Sequence, residues 1–298
     1  MEFAVKRDFA VIARACASRR EGCREGAARN IRSVGAFEAN IATMPFFDSD
    51  GVKIHYLYQG DGAPVLMIHG FGSSAEDHWV KTGMVERIAR RSRVIAYDAR
   101  GHGHSDKPHD PSMYGLANMR ADAVRLLDHL KIARARMIGY SMGGRITLEV
   151  LMRDPERLSA IVLGGYGDGG QIATPGQRHR IAAALLAEDP AVIEDVLARR
   201  FRRGAERNGK DLRALAACIG AEETTDAESA LDYDTLRRAS LPVLIATGNK
   251  DMIAGDPRPL AGWFHDARVV VLDGADHVTT PADPRFHQAV EDFFALHR

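Results

Sequence analysis

Short apolar segments recur along the chain, and longer segments with apolar residues at helical spacing lie between them. Residues 52–60 alternate apolar and polar positions, which predicts a strand with one exposed face at the edge of a sheet. Six further runs are almost continuously apolar, which predicts strands buried on both faces. They span residues 64–70, 93–99, 135–141, 158–165, 241–248 and 267–274. This alternation predicts an α/β fold with a mostly parallel, doubly wound sheet.

Two helices of the predicted core are marked by an apolar stripe. Residues 116–132 place leucine, methionine and alanine side chains along one face at helical spacing. Residues 284–298 begin with a proline, which suits a helix start, and carry Phe286 and Phe293 on an apolar face. We expect both stripes to pack against the sheet.

The strand–helix alternation stops between residues 170 and 240, where three short helical patterns follow one another without a strand. We predict a small helical cap, residues 170–240, inserted into a core formed by residues 44–169 and 241–298. The basic run at residues 198–204 is interpreted as a solvated helix face, with binding of an acidic substrate group as the less favoured alternative.

Residues 1–43 differ from the rest in being rich in arginine and alanine, and we predict a flexible N-terminal extension. Arg14 interrupts the apolar run needed for a signal peptide, and a transit peptide would be poor in acidic residues. The acidic residues of this segment are Glu2, Asp8, Glu21, Glu25 and Glu38. Synthesis from Met44 is an alternative that mass spectrometry of the native N-terminus would test.

The overall charge limits the classes of partner. Lys plus Arg and Asp plus Glu are 40 each, so no net charge attracts nucleic acid, an anionic membrane surface or polyanionic substrates. A neutral or locally recognised small-molecule substrate is expected. No apolar run reaches the roughly 18 residues that span a bilayer. Cys16, Cys23 and Cys218 form no disulfide framework or metal-ligand spacing, which favours a reducing, cytoplasmic location. Nothing in the sequence indicates the oligomeric state.

The stretch GYSMGG, residues 139–144, places Ser141 between a strand-like segment and a helical one. A serine exposed on a sharp strand-to-helix turn has a strained backbone, so its neighbours must be small. Gly139 and Gly143 satisfy this requirement two residues before and two residues after Ser141. This context favours a nucleophile over a structural turn.

A serine nucleophile needs a base, and the base needs an orienting acid. Asp251 and His277 each follow the end of a later predicted strand, so the chain order is serine, aspartate, histidine. Asp168 competes with Asp251, which we favour because functional residues cluster at the carboxyl ends of strands. Three earlier histidines do not follow an acid in this order and are weaker candidates for the base: His69, His102 and His104.

Acyl transfer also needs hydrogen-bond donors for the oxyanion. The stretch HGFG, residues 69–72, follows a buried strand and contains glycines that allow a backbone amide to turn inward. We predict the amides of Phe71 and Met142 as the two donors, and Phe71 as a wall of the acyl pocket.

Over residues 45–298 the chain resembles the α/β-hydrolase fold superfamily. The resemblance rests on HGFG, DARGHGHS at 98–105, GYSMGG, GNKD and GADH. It implies that Asp98 and Arg100 shape the loop beside the site and have no catalytic role. It extends to cofactor-free haloperoxidases and enol-lactonases, which share the serine triad.

The reaction expected from these residues is that of a serine esterase or lactonase, with no metal and no cofactor. Ser141 is unlike the aspartate nucleophile of haloalkane dehalogenases and epoxide hydrolases. The Gly-Phe-Gly after His69 differs from the Gly-x-Gly-Pro-Gly of carbon–carbon bond hydrolases. Carbon–carbon bond hydrolysis is therefore a less favoured alternative. Perhydrolysis on the same triad and a ligand-binding receptor with little turnover are further alternatives. The Ala and Leu content of the cap predicts a largely apolar substrate pocket.

Overall fold

The predicted strands all form, and they lie side by side in one sheet. The prediction that residues 267–274 are buried on both faces was wrong, because this strand is the last of the described sheet and only its final residue is buried. The computed structural model describes residues 45–167, 174–221 and 231–297, so the predictions for residues 1–43 and for Asp168 lie outside the described residues. The strands are β1 (Phe46–Ser49), β2 (Val52–Gln59), β3 (Ala63–Ile68), β4 (Ser92–Tyr97), β5 (Ala135–Tyr140), β6 (Leu158–Gly164), β7 (Val243–Gly248) and β8 (Ala267–Leu272).

The strand order within the described residues is β1-β2-β4-β3-β5-β6-β7-β8. β1, β2 and β4 pair antiparallel, and the strands from β4 to β8 pair parallel. The α/β class and the mostly parallel sheet are confirmed. The prediction that residues 52–60 form the edge was wrong, because β1 pairs with the outer side of β2.

Helices cover both faces of the sheet. They are α1 (Met84–Ala89), α2 (Leu116–His129), α3 (Met142–Arg153), α4 (Pro175–Leu186), α5 (Val196–Arg207), α6 (Leu212–Ala221), α7 (Tyr233–Arg238), α8 (Pro257–Ala261) and α9 (Pro284–Leu296). Alternate strand residues point to opposite sides, and the core is accordingly split into two clusters. Side chains of α2, α3 and α8 pack on one face, and those of α1 and α9 pack on the other. The sheet is therefore doubly wound.

The helices α4 to α7 lie between β6 and β7 in the chain. Apolar side chains of α4, α5 and α6 form a cluster of their own, which includes Ile181, Ala198 and Leu215, and Phe71 of the core packs against it. The short helix α7 was not predicted from the sequence. No helix in the described parts of the chain is long and apolar enough to cross a membrane.

Burial lowers the pKa of four histidines, His69, His78, His102 and His287, because the charged ring loses its hydration. For His102 the pKa falls to about 3. The unfolded chain, with histidine pKa values near 6.5, binds protons that the folded protein does not. Acidification therefore favours unfolding between the pKa of each histidine in the unfolded chain, near 6.5, and its lower pKa in the folded protein.

We expect the free energy of unfolding to fall by more than about 1.4 kcal/mol per pH unit between about pH 6 and pH 4, because more than one proton is taken up on unfolding. Urea unfolding at a series of pH values measures this slope. In His102→Gln this slope should be smaller by about 1.4 kcal/mol per pH unit, because one proton fewer is taken up on unfolding. A wild-type stability that does not change over this interval would contradict the expectation.

Candidate active site

Ser141 lies at the turn from β5 into α3, where its backbone has a φ of 54° and a ψ of −113°. A positive φ is uncommon for a residue with a side chain and costs about 1–3 kcal/mol. Flanking bonds hold the turn: the Ser141 amide donates to Gly164 O at 2.9 Å, and Ser141 O accepts from the Arg145 amide at 3.1 Å. The surrounding structure thus fixes the strained serine in place.

The two glycines of the turn leave no room for a side chain. A Cβ atom on Gly139 would lie 2.2 Å from Gly143 O, and one on Gly143 would lie 2.1 Å from Ile68 O. These contacts involve backbone atoms of β3 and α3, which cannot move aside cheaply. The helix after Ser141 therefore packs directly against the end of β3.

We expect Gly143→Ala to lower the melting temperature by about 10 °C, because relief of the clash with Ile68 O costs about 3 kcal/mol. Gly144→Ala is the matched control. Its Cβ would meet only the Tyr166 side chain, at 3.2 Å, so a shift of a few degrees is expected. Thermal unfolding followed by circular dichroism compares the two variants, and an equal loss in both would contradict this account.

Asp251 and His277 follow the ends of β7 and β8, and their side chains meet Ser141. His277 Nε2 lies 3.0 Å from Ser141 Oγ, and His277 Nδ1 lies 2.8 Å from Asp251 Oδ2. The Asp251 carboxylate, whose side chain is fully buried, also accepts from the amides of Ile253 and Ala254. A carboxylate only accepts, so Nδ1 carries the proton and Nε2 accepts from the serine hydroxyl.

Close contacts join the loops that carry the aspartate and the histidine. A Cβ atom on Gly248 would lie 2.1 Å from Ala275 O, so β7 passes directly against the loop before His277. The side chain of Asn249 donates to Asp273 Oδ1 at 2.6 Å and accepts from the Gly274 amide at 2.8 Å. The separation of Asp251 and His277 is therefore set by short-range packing.

Tyr140, the residue before Ser141, contacts His277 in the loop after β8. Its hydroxyl donates to His277 O at 2.7 Å, and its ring centroid lies 5.2 Å from that of His277. The Tyr140 ring also contacts His78, with 4.6 Å between centroids. Tyr140 thus holds the His277 loop from the strand that precedes Ser141.

The loop after β3 passes beside the serine. A Cβ atom on Gly70 would lie 3.5 Å from Ser141 Cβ. Within the described residues, the amides of Phe71 and Met142 donate to no protein acceptor, and both residues line the same cavity as Ser141. Free amides on both sides of a serine are what an oxyanion site requires.

The other candidate histidines have different partners. His69 Nε2 accepts from the Ala99 amide at 3.0 Å, and His69 Nδ1 donates to Gly70 O at 2.8 Å. His102 Nδ1 lies 2.9 Å from Arg100 O, within hydrogen-bond distance. The bond from Ala99 to His69 joins the loops after β3 and β4, and the His102 bond lies within the loop after β4. These contacts hold the loops in place. The ring of His104 packs edge-on against His55.

Asp98 and Arg100 are buried and hold the loop after β4. The Asp98 carboxylate accepts from the amides of Ala75 and His104 and pairs with His55. Burial alone would raise the pKa of Asp98, but the His55 hydrogen bond and the nearby His69 lower it to about 2. Arg100 forms two 2.7 Å bonds to the Asp122 carboxylate.

A cavity of about 1190 Å³ lies above Ser141 and His277. Apolar side chains from the core and from α4 to α6 form part of its wall, including Phe71, Leu185, Phe201, Leu215 and Ile219. Its charged wall was not anticipated by the prediction of a largely apolar pocket. The cationic side chains are Arg145, Arg178, Arg200, Arg203, Arg207 and Lys250.

His78 also lines the cavity and was not identified from the sequence. A Cβ atom on Gly70 would lie 3.6 Å from His78 Cε1, which places this ring close to Ser141. Its Nε2 is buried without a hydrogen-bond partner among the described residues. No spacing rule marks His78, because the short π-helical turn Glu76–Val80 that positions it has no sequence pattern.

A strained serine after a parallel strand, followed by an acid and a histidine at later strand ends, is the arrangement of the α/β hydrolases. Residues 63–280 match the family model described as the alpha/beta hydrolase fold. The chain belongs to this family.

Several relatives share most of the length of this chain. A Bacillus subtilis protein assigned as a 2-succinyl-6-hydroxy-2,4-cyclohexadiene-1-carboxylate synthase is 35% identical over 85% of this chain and 98% of its own. A 2-hydroxymuconate semialdehyde hydrolase from Pseudomonas putida is 30% identical over 82% and 92%. The acetyltransferase component of an acetoin cleaving system from Pseudomonas putida is 31% identical over 79% of this chain, which spans 64% of that relative.

Among solved structures, a hydrolase from Pseudomonas aeruginosa superposes with a TM-score of 0.69 at 28% identity. The match covers 86% of this chain and 99% of that one. The fold of the described core is therefore that of known hydrolases.

Proposed function

We propose that the protein is a serine hydrolase that cleaves a carboxylic ester or lactone through an acyl-enzyme. The observation that carries this proposal is the continuous chain of hydrogen bonds from Ser141 Oγ through the His277 ring to the buried Asp251 carboxylate. An imidazole held in this tautomer can remove the serine proton, and a buried carboxylate stabilises the cation that forms.

The reaction follows from these contacts. Ser141 Oγ attacks the ester carbonyl while His277 Nε2 takes its proton, and the amides of Phe71 and Met142 donate to the tetrahedral oxyanion. His277 returns the proton to the departing alcohol oxygen. Water then attacks the acyl-serine, with His277 again as base, and releases the acid and the free serine.

Carbon–carbon bond hydrolysis is the second candidate. It is favoured by the similarity to the 2-hydroxymuconate semialdehyde hydrolase. The loop after β3 opposes it, since Gly-Phe-Gly stands where the sequence pattern of such enzymes has Gly-x-Gly-Pro-Gly. Perhydrolysis would use hydrogen peroxide in place of water on the same acyl-enzyme.

Covalent labelling tests the nucleophile directly. We expect a fluorophosphonate to modify the folded protein once, and peptide mass spectrometry to place the adduct on Ser141. An unmodified Ser141 would overturn the proposal and favour a receptor of the same fold. A rate comparison across p-nitrophenyl esters, lactones and a vinylogous 1,5-diketone then separates the reactions, and a dominant rate on the diketone would favour carbon–carbon cleavage.

A further inference from the structure

Three arginines of α5 face the active-site cavity. Arg200, Arg203 and Arg207 are spaced by three and four residues, which puts them on one face of the helix. All three are exposed and line the cavity that contains Ser141 and His277. The helix buries a different face, formed by Ala198, Arg202 and Ala205. The arginine face is therefore directed toward the substrate space.

The other arginines of the same helix are engaged within the protein. Arg199 donates to Ile193 O, and Arg202 pairs with Glu206 and donates to three carbonyl oxygens of α4 and its C-terminal end. By contrast, Arg200, Arg203 and Arg207 form no ion pair or side-chain hydrogen bond with any described residue. Their donors are thus not used by any side chain or carbonyl group in the described part of the chain.

The carboxylates of the cavity wall do not balance these charges. Asp77 is paired with Lys81 and Lys210, and Glu206 is paired with Arg202. Asp276 accepts hydrogen bonds from the amides of Thr279 and Val278, and these bonds together with the charge of Arg200 lower its pKa. Lys250 adds a further exposed cation from the loop after β7.

This surplus is local, because the whole chain carries as many acidic as basic residues. Clustered like charges in the wall of a cleft attract and orient a ligand of opposite charge. Guanidinium groups match phosphate and carboxylate oxygens with two parallel hydrogen bonds. For the run at residues 198–204, the position of Arg200 and Arg203 in the cavity wall favours the alternative drawn from the sequence, binding of an acidic substrate group, over a purely solvated face.

We propose that the substrate carries a polyanionic group, with two or more negative charges on phosphate or carboxylate, that binds against Arg200, Arg203 and Arg207 while its ester or thioester carbonyl lies at Ser141. This inference rests on the proposed serine hydrolase activity. It assigns α5 the role of selecting the substrate by charge.

Matched substrates test the inference and distinguish the two sources of charge. Butyryl-coenzyme A and butyryl-N-acetylcysteamine share one thioester, and only the first carries phosphates. p-Nitrophenyl 4,4-dicarboxybutyrate and p-nitrophenyl butyrate differ by two carboxylates. We expect kcat/KM for at least one anionic member to exceed that of its neutral partner by about tenfold or more, and this ratio to fall as sodium chloride is added.

The double variant Arg203→Gln and Arg207→Gln should lower this ratio by about tenfold, since two charge-assisted contacts are lost. Arg213→Gln, an exposed arginine of α6 outside the cavity wall, is the matched control and should keep the wild-type ratio. Ratios near one for both pairs, or a ratio that the double variant does not change, would overturn the inference and leave the serine hydrolase proposal intact.

Binding measured without turnover separates the two proposals. Coenzyme A and glutarate are each titrated by calorimetry into Ser141→Ala and into the triple variant that also carries Arg203→Gln and Arg207→Gln. For at least one ligand, the dissociation constant should be about tenfold lower in Ser141→Ala than in the triple variant. If the neutral esters are not hydrolysed but this difference is found, the hydrolase proposal fails and anion binding stands. If neither ligand binds, the anion site is excluded.

Discussion

Ser141→Ala is expected to lower kcat for p-nitrophenyl butyrate by roughly a hundred-thousandfold or more. The variant removes the oxygen that lies 3.0 Å from His277 Nε2, and no other hydroxyl is placed against that nitrogen among the described residues. The remaining turnover would come from binding and from the amides of Phe71 and Met142 acting on direct attack by water.

The comparison needs protein that is folded to the same extent. Alanine keeps the Cβ atom and the backbone of the turn, so we expect the melting temperature of Ser141→Ala to stay within a few degrees of wild type. Steady-state kinetics with a stringently purified variant, free of wild-type carry-over, measure the loss. Activity within tenfold of wild type would remove Ser141 as the nucleophile.

Asp251→Asn is expected to lower kcat by about ten-thousandfold with little change in KM. The amide nitrogen of asparagine donates to His277 Nδ1, which forces the ring proton onto Nε2, and Nε2 then cannot accept the serine proton. One side-chain oxygen remains to accept from the amides of Ile253 and Ala254. The loop conformation should therefore survive, and the loss should arise at the base.

Asp168→Asn is the matched control, because Asp168 is the other aspartate that the sequence offers as the orienting acid. If Asp251 is the orienting acid, Asp168→Asn should retain activity within a few-fold of wild type. The reverse result, a large loss with Asp168→Asn and near-normal turnover with Asp251→Asn, would transfer the role to Asp168. Parallel kinetics and thermal unfolding of both variants decide between them.

The parts of the fold that sequence patterns predicted are those set by burial alone. Strands such as β5 and β7 are buried along their whole length, so their apolar runs are unbroken and bounded by turn residues. Because parallel strands end at the same edge of the sheet, the residues that follow them are brought together. This is why Ser141, Asp251 and His277 could be proposed as neighbours before any distance was known.

The features that were missed depend on contacts between segments distant in the chain. β1 has four residues, too few for a periodic pattern, and it exists because its backbone pairs with β2. Arginines are common on solvated helix faces, so the run on α5 gave no local signal that part of it lines a cavity. That position follows from how α4, α5 and α6 pack over the sheet, which no single segment encodes.

The hydrogen bond from the Tyr140 hydroxyl to His277 O ties the loop that carries His277 to the residue next to Ser141. We expect a displacement of the His277 loop to pull on Tyr140, which precedes Ser141. Ser141 Oγ and His277 Nε2 should therefore move together. The helices α4 to α6, which line the cavity, take no part in this linkage. New substrates could therefore be accommodated in this lineage by remodelling α4 to α6 alone, with the distance between serine and histidine inherited unchanged.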